Sequence, residues 1–143
     1  MDDIRSLVPH AGAMCLLEQV ERWDEATVVC RTASHLRADH PLRRDGTLSA
    51  VHLIEYAAQA IAVHRGLLAR ASGEILPPGW LVAVRDVRLL VPRLDQLPAP
   101  LTIVARELVV YQGGTQYGFS ALAGDLERAS GRVSVVPVPG SGG

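Results

Sequence analysis

The fold is decided by residues 50–71, AVHLIEYAAQAIAVHRGLLARA, which carry Ala, Leu and Ile on nearly every side of a helical projection. At 3.6 residues per turn, this stretch predicts a helix of about six turns. Ser49 is a suitable N-cap before it, and Gly73 is a stop signal after it. A helix that is apolar all round is normally buried, so we expect it to lie at the centre of the domain.

Strands are predicted on both sides of this helix. Upstream, residues 14–20 and 27–32 are short apolar or β-branched runs around a polar tripeptide at 23–25, which is the pattern of a hairpin. The charged segment 34–48 predicts an irregular loop. Four further strands are predicted downstream, at residues 80–90, 101–111, 116–123 and 132–136. This order predicts an α+β domain in which a curved antiparallel sheet wraps around one long central helix.

The composition limits the class of protein. The chain has 143 residues, 48% of them hydrophobic, so we expect a single domain over residues 1–136 and a flexible Pro/Gly/Ser tail at 137–143. A net charge of −1 argues against a nucleic-acid partner, and the absence of lysine excludes Schiff-base chemistry by a lysine side chain. The acidic start, with no long apolar stretch, predicts a cytoplasmic protein that does not span a membrane. Cys15 and Cys30 lack metal-ligand spacing, so we expect reduced, buried thiols and no metal site.

A single acid interrupts the apolar helix, because Glu55 is the only carboxylate in residues 46–73. Burying an unpaired carboxylate is costly, so Glu55 is either functional or neutralised by a partner. The second alternative requires an arginine from a neighbouring strand, such as Arg85 or Arg88. Two other polar side chains share the helix face of Glu55 through i±3 and i±4 spacing, His52 and Gln59.

Two histidines are candidates for a general base near this acid. His40 stands in the loop just before the helix, where an irregular backbone can bring its imidazole to a cleft at the helix N-terminus. His52, at the start of the helix, is more typical of a hydrogen-bonded core residue and is the alternative base. The helix start also predicts unpaired backbone N–H groups at Ala50 and Val51, which can polarise a carbonyl oxygen.

Three stretches of the chain carry a recognisable pattern. Residues 40–59 begin with His40-Pro41-Leu42 and end with Glu55-Tyr56-Ala57-Ala58-Gln59. Val8-Pro9-His10 precedes the apolar residues 14–20, and residues 83–92 end in Val91-Pro92. Together they resemble the hot-dog-fold 3-hydroxyacyl-ACP dehydratases, with their H-F-P…E-A-x-A-Q signature, and most closely the branch found in aryl polyene pathways. The resemblance covers nearly the whole chain in the same order.

The resemblance implies a fold, an assembly and a reaction. The fold is the hot-dog, and the assembly is a homodimer or higher homo-oligomer with active sites between subunits, or a heterodimer with another dehydratase. The reaction is loss of water from an (R)-3-hydroxyacyl thioester on acyl carrier protein (ACP), which gives a trans-2-enoyl thioester in fatty-acid-like or aryl polyene biosynthesis. No cofactor is implied beyond the phosphopantetheine arm of ACP.

The resemblance also implies residue roles. His40 of one subunit stands at the position of the catalytic base, and Glu55 of the other at the position of the acid that protonates the leaving hydroxyl. Gln59 and His10 are expected to support them. The loop departs from the housekeeping enzymes, because the spacing from His40 to Glu55 is one residue longer and Ala50 replaces a glycine. His52 therefore stays as the alternative base.

Arginines near the motif residues are candidates for contacts with the acidic carrier protein. They are Arg43, Arg44, Arg85 and Arg88, with Arg93 close to them in sequence. The alternative is that they pair with nearby acids, namely Asp39, Asp45, Asp86 and Asp95.

Two other functions remain open. A hot-dog thioesterase would share the fold and the thioester substrate, and Glu55 alone would activate water for hydrolysis. A non-catalytic acyl-binding subunit would serve as the partner in a heterodimeric dehydratase. The presence of both His40 and the E-Y-A-A-Q box at 55–59 favours the dehydratase.

Overall fold

A computed structural model describes residues 15–73, 79–111 and 113–137, with the backbone alone for 79–82 and 137. The predicted supporting residue His10 and the predicted tail beyond residue 137 lie outside the described residues. Pro137, predicted as the first residue of the tail, is the last residue of a strand.

Six strands form one antiparallel sheet. Their bounds are β1 Gln19–Trp23, β2 Thr27–Thr32, β3 Gly79–Leu89, β4 Leu101–Tyr111, β5 Gly114–Ala123 and β6 Leu126–Pro137. The order across the sheet is β1-β2-β4-β5-β6-β3, and every neighbouring pair is antiparallel. The strand that follows the helix, β3, therefore lies at an edge of the sheet.

The first strand begins at Gln19, although residues 14–20 were the predicted strand. The backbone of Leu16 explains the difference. Its N–H donates to Gln59 Oε1 at 2.8 Å, and its carbonyl accepts from Thr32 Oγ1 at 2.6 Å. Side chains therefore bind the backbone groups that a neighbouring strand would otherwise bind. The apolar side chains of residues 15–17 are buried, as the sequence pattern indicates, without forming a strand.

Two further strand ends differ from the prediction by three residues or more. Trp23 belongs to β1, and the hairpin turns after it, where Asp24 Oδ1 accepts from the N–H groups of Ala26 and Thr27 at 2.9 and 2.8 Å. Strand β6 begins at Leu126, six residues before the predicted start at 132. Its first half, residues 126–131, has the sequence LERASG and contains no run of apolar residues, so a search for apolar runs does not detect it.

The helix follows the prediction closely. A 3₁₀ turn covers Ala50–His52, and the α-helix α1 covers Leu53–Ser72. Ser49 Oγ accepts from the Val51 N–H at 3.3 Å, and Gly73 ends the helix with a φ of +73°, which confirms both predicted end signals.

The buried face of α1 packs on the middle of the sheet, against β2, β4 and β5. His64 connects the second half of α1 to the sheet. Its Nε2 donates to the Asp24 carbonyl at 2.9 Å, and its Nδ1 lies 2.8 Å from the Tyr117 hydroxyl. The hydrophobic core lies between the helix and the sheet, and this arrangement confirms the predicted α+β class. Among the described residues, no helix has the length and apolar character needed to span a membrane.

Candidate active site

The loop between β2 and the helix is irregular but tightly held by Arg43. Its guanidinium donates to the carbonyls of Arg37 at 2.7 Å, Gly46 at 2.9 Å and His35 at 3.2 Å. Only 15% of the Arg43 side chain is exposed. Arg43, predicted to contact ACP, therefore has most of its donors engaged inside its own loop.

A second set of contacts fixes where the helix begins. Ala50 N–H donates to the Pro92 carbonyl at 3.0 Å, and Leu94 N–H donates to the Leu48 carbonyl at 2.8 Å. The buried carboxylate of Asp95 accepts from Leu48 N–H at 2.9 Å and from Arg93 through two nitrogens at 3.2 and 2.5 Å. The Arg93 hydrogen bond is the main reason that the pKa of Asp95 lies well below its usual range.

Replacing Asp95 with asparagine is expected to lower the free energy of unfolding by about 1–3 kcal/mol at neutral pH, because the buried bidentate ion pair is lost. The folded-state pKa of Asp95 lies below its ordinary value of 3.8, so its stabilisation is present above that pH and is lost as pH falls through the folded-state pKa. The difference between wild type and variant should shrink over the same range. Urea unfolding at several pH values measures it.

Asp39→Asn is the matched control, because Arg37 and Asp39 form a bidentate pair with the same two-residue spacing, at 3.1 and 3.0 Å. That pair is exposed, so its loss should destabilise the protein much less than the loss of Asp95. Equal losses in the two variants would contradict the structural role of Asp95.

His40 is buried in the middle of this loop and contacts the helix. Its Nε2 lies 3.0 Å from the Tyr56 hydroxyl, and its Nδ1 accepts from the Leu42 N–H at 3.1 Å. Burial is the main reason that the pKa of His40 lies below its ordinary value of 6.5, and the nearby positive charge of Arg43 lowers it further. The imidazole is therefore neutral at neutral pH, which is the state that a general base requires.

Tyr56 connects His40 to Ser34 and, through Ser34, to the backbone of Leu16. The Tyr56 hydroxyl lies 2.8 Å from Ser34 Oγ, and the Ser34 hydroxyl donates to the Leu16 carbonyl at 2.7 Å. Tyr56 is fully buried, which raises the pKa of its hydroxyl to about 12 and keeps it protonated.

Glu55 joins the same network from the neighbouring helix position. Gln59 Nε2 donates to Glu55 Oε1 at 3.2 Å, while Gln59 Oε1 accepts from the Leu16 N–H at 2.8 Å. Leu16 therefore binds the Glu55 branch through its N–H and the His40 branch through its carbonyl. The structure brings the predicted acid, base and supporting glutamine into one hydrogen-bonded network.

The N–H groups at the helix start differ from the prediction. Ala50 N–H donates to Pro92 and Val51 N–H to its own N-cap, Ser49, so the expectation of unpaired donors there is wrong. The physical reason is that segment 92–94 pairs with the start of the helix. His52 is half-buried, and it is close enough to lower the pKa of His40 electrostatically.

Three of the predicted ACP contacts are exposed: Arg44, Arg85 and Arg88. Within the described residues, none of them forms an ion pair. The predicted alternative of pairing with a nearby acid holds for Arg93 and Arg43, which lie 2.5 and 3.8 Å from the Asp95 carboxylate. Asp86 lies 3.7 Å from Arg132, an arginine outside the predicted set.

An open cleft of about 370 Å³ lies beside the start of the helix. Its lining is mostly apolar and consists of Ser49, Ala50, Leu89, Leu90, Val91 and Pro92. Leu89 and Leu90 are 39% and 50% exposed, so a ligand with an apolar chain would find apolar surface there. In the part of the chain that the structure describes, no three His, Cys, Asp or Glu side chains are arranged to share a metal ion.

The sequence reasoning did not identify Tyr56 or Ser34 as parts of the site. Tyr56 stands inside the E-Y-A-A-Q box, directly after the predicted acid, and its position among alanines is the one available signal. Ser34 has no sequence signal, because its role depends on a contact with a residue 22 positions away.

Comparisons with known proteins show the family and the fold of the chain. The family model ApeP-like, described as ApeP dehydratase, matches residues 2–140. A chain of the dehydratase heterocomplex ApeI:P from Xenorhabdus doucetiae is 26% identical, with a TM-score of 0.84 over 96% of this chain and 92% of the other. A search of curated proteins finds no match.

Two more distant structures share the fold alone. The TT0310 protein from Thermus thermophilus is 18% identical, with a TM-score of 0.62 over 84% of this chain and 91% of the other. AziG from S. sahachiroi is 19% identical, with a TM-score of 0.59 over 87% and 92% of the two chains. The structural neighbours confirm the predicted hot-dog fold.

Proposed function

The chain belongs to the ApeP-like dehydratase family, and we propose that its substrate is a 3-hydroxyacyl thioester carried on ACP. The product is the trans-2-enoyl thioester and water. The observation that carries the proposal is the buried, neutral imidazole of His40, which Tyr56 and the Leu42 N–H hold beside the start of the helix that also carries Glu55. The phosphopantetheine arm of ACP presents the substrate, and no other cofactor takes part.

The elimination assigns one proton to each residue. The thioester acidifies the α-carbon, and neutral His40 accepts the α-proton. The electron pair of the broken C–H bond forms the Cα–Cβ double bond as the Cβ–O bond breaks. Protonated Glu55 gives its proton to the departing hydroxyl, which leaves as water. His40 then returns a proton to solvent and Glu55 takes one up, which restores the starting state.

We expect the active assembly to contain two hot-dog subunits. Ile54, Ala58 and Ala62 form a small apolar stripe on the helix that is only half-buried within one chain. A second subunit would cover this stripe and place its own Glu55 opposite His40. The partner is a second copy of this chain or another dehydratase, since the similar ApeP-family structure is a heterocomplex. Fatty-acid-like or aryl polyene biosynthesis is the pathway that the family resemblance favours.

The proposal is tested by mass spectrometry of the purified chain incubated with a short (R)-3-hydroxyacyl-ACP. Loss of water from the carrier-bound acyl group supports the dehydratase. Release of the free hydroxy acid would replace it with the thioesterase alternative. An unchanged substrate in the presence of a folded dimer would favour a binding subunit that depends on another chain.

The exposed arginines give a prediction about carrier recognition. Combined replacement of Arg44, Arg85 and Arg88 by alanine is expected to raise the KM for acyl-ACP about tenfold at low salt, because three exposed positive charges that attract an acidic partner are lost. The KM for the same acyl group on free pantetheine should not change. Steady-state kinetics with both substrates separate the two effects.

Arg22→Ala is the control for a lost exposed charge, since Arg22 lies on strand β1 in a pair with Glu21. Raising the salt concentration should increase the wild-type KM for acyl-ACP and leave that of the triple variant nearly constant. An unaltered KM for acyl-ACP in the triple variant would contradict carrier binding by these three arginines.

A further inference from the structure

The hydrogen bonds between His40 and Leu16 can run in only one direction. The Leu16 carbonyl can only accept, so the Ser34 hydroxyl donates its single proton to this carbonyl, with Oγ and O 2.7 Å apart. Ser34 Oγ must then accept from the Tyr56 hydroxyl at 2.8 Å. With its own proton committed to Ser34, the Tyr56 oxygen accepts from His40, whose Nε2 lies 3.0 Å away. Nε2 of His40 therefore carries a proton.

The other ring nitrogen of His40 leads independently to the same tautomer. Leu42 N–H donates to Nδ1 at 3.1 Å, and only a nitrogen with a free lone pair can accept that bond. If the Tyr56 hydroxyl donated to Nε2 instead, the proton of the neutral imidazole would have to sit on Nδ1. Two N–H groups, those of Nδ1 and Leu42, would then face each other. A flip of the ring would place carbon atoms against both Leu42 and Tyr56 and would lose both hydrogen bonds.

We infer that Tyr56 is a positioning residue for His40, which, through Ser34, fixes the Nε2–H tautomer and leaves Nδ1 as the nitrogen that accepts the substrate proton. This inference rests on the proposed function, because it assigns the atom that acts as base. Nδ1 is covered by Leu42 N–H in the free protein, so proton transfer requires that contact to open when substrate binds. The bond from Nε2–H to Tyr56 then stabilises the imidazolium that forms.

The surroundings of His40 make this support necessary. Burial is the main factor that disfavours a protonated ring, and the side chains of Arg43, His52, Arg37 and His35 add to it. The one anionic group that interacts with the ring, the carboxylate of Asp39, is exposed and paired with Arg37, and the Tyr56 hydroxyl is in direct contact. Tyr56 is thus the one hydrogen-bond acceptor that the described residues offer to the Nε2 proton of His40.

The chain contains a matched control for Tyr56. Tyr117 is also fully buried, and its hydroxyl lies 2.8 Å from Nδ1 of His64, far along the helix from the site. Tyr56→Phe and Tyr117→Phe therefore each remove one hydroxyl from a buried tyrosine–imidazole pair. Each variant leaves one buried imidazole nitrogen without its tyrosine partner, and Tyr56→Phe also removes the bond to Ser34 Oγ, so it should lose somewhat more stability than Tyr117→Phe.

The first measurement is the ¹⁵N spectrum of the histidine rings in the wild-type protein at neutral pH. We expect His40 as the Nε2–H tautomer, with a ring proton that exchanges slowly with water and becomes exchangeable in Tyr56→Phe but not in Tyr117→Phe. An Nδ1–H tautomer in the wild type would overturn the inference. This readout needs no activity, so it stands apart from a failure of the proposed reaction.

The second measurement is the dehydration rate of the same proteins. Tyr56→Phe should lower kcat about 10- to 100-fold with little change in KM, as expected for a misplaced base, whereas Tyr117→Phe should retain the wild-type kcat. Ser34→Ala, which keeps the tyrosine ring in place, should lower kcat in the same direction. Equal rates in Tyr56→Phe and Tyr117→Phe, or a wild-type rate in Ser34→Ala, would overturn the positioning role.

Discussion

Replacing His40 with glutamine is expected to lower the kcat of dehydration by about 10²–10⁴-fold, because the reaction loses its general base. Glutamine can still accept from the Leu42 N–H and donate to Tyr56, so the loop should keep its structure. The rate is followed by the absorbance of the conjugated enoyl thioester. Urea unfolding of both proteins shows whether the fold is preserved.

His52→Gln is the control for His40→Gln, because His52 is the alternative base and lies at the same end of the helix. We expect this variant to keep most of the wild-type kcat. In the wild type, the pKa of His40 lies below 6.5, so the neutral base persists and the rate should fall only at more acidic pH. A large loss in His52→Gln together with an active His40→Gln would assign the base to His52.

Glu55→Gln is expected to lower kcat over the same range, about 10²–10⁴-fold, because an amide has no acidic proton to give to the leaving hydroxyl. The new side-chain carbonyl can still accept from Gln59 Nε2, so the link to Leu16 should survive. The loss should therefore appear in kcat, with the stability close to that of the wild type. The same absorbance assay and urea unfolding measure both quantities.

Glu21→Gln is the control for removing a carboxylate, since Glu21 lies on strand β1 and pairs with Arg22 and Arg31. This variant should dehydrate the substrate at the wild-type rate. If Glu55→Gln raises KM and leaves kcat unchanged, Glu55 has a binding role and another group must protonate the hydroxyl.

The helix was predictable from the sequence because its signals are local. Residues 50–71 carry apolar side chains on nearly every side of the helix, Ser49 caps the first turn, and Gly73 adopts the positive φ that ends the last one. The start of β1 was not predictable in the same way. Leu16 and its neighbours have the composition of a strand, and only the contacts with Gln59 and Thr32 show that side chains bind its backbone.

The sequence predicted which residues form the site better than it predicted the hydrogen bonds between them. His40 and Glu55 stand out because a motif and an isolated charge mark them. The pairing of Ala50 with Pro92 removes a donor that a free helix end would offer, and it joins positions 42 residues apart. Arg43 was expected on a docking surface from its charge, yet the loop folds around it and engages its donors.

The most direct test of the central claim, that His40 and Glu55 act together in one site shared by two subunits, is complementation between inactive variants. His40→Gln and Glu55→Gln proteins are mixed, their subunits are exchanged by brief exposure to urea, and dehydration of 3-hydroxyacyl-ACP is measured. A mixed dimer would have one intact site, so the mixture should recover about a quarter of the wild-type rate. Size measurement and differential tags show whether subunits have exchanged. A mixture that has exchanged its subunits and still does not dehydrate the substrate would contradict the shared site.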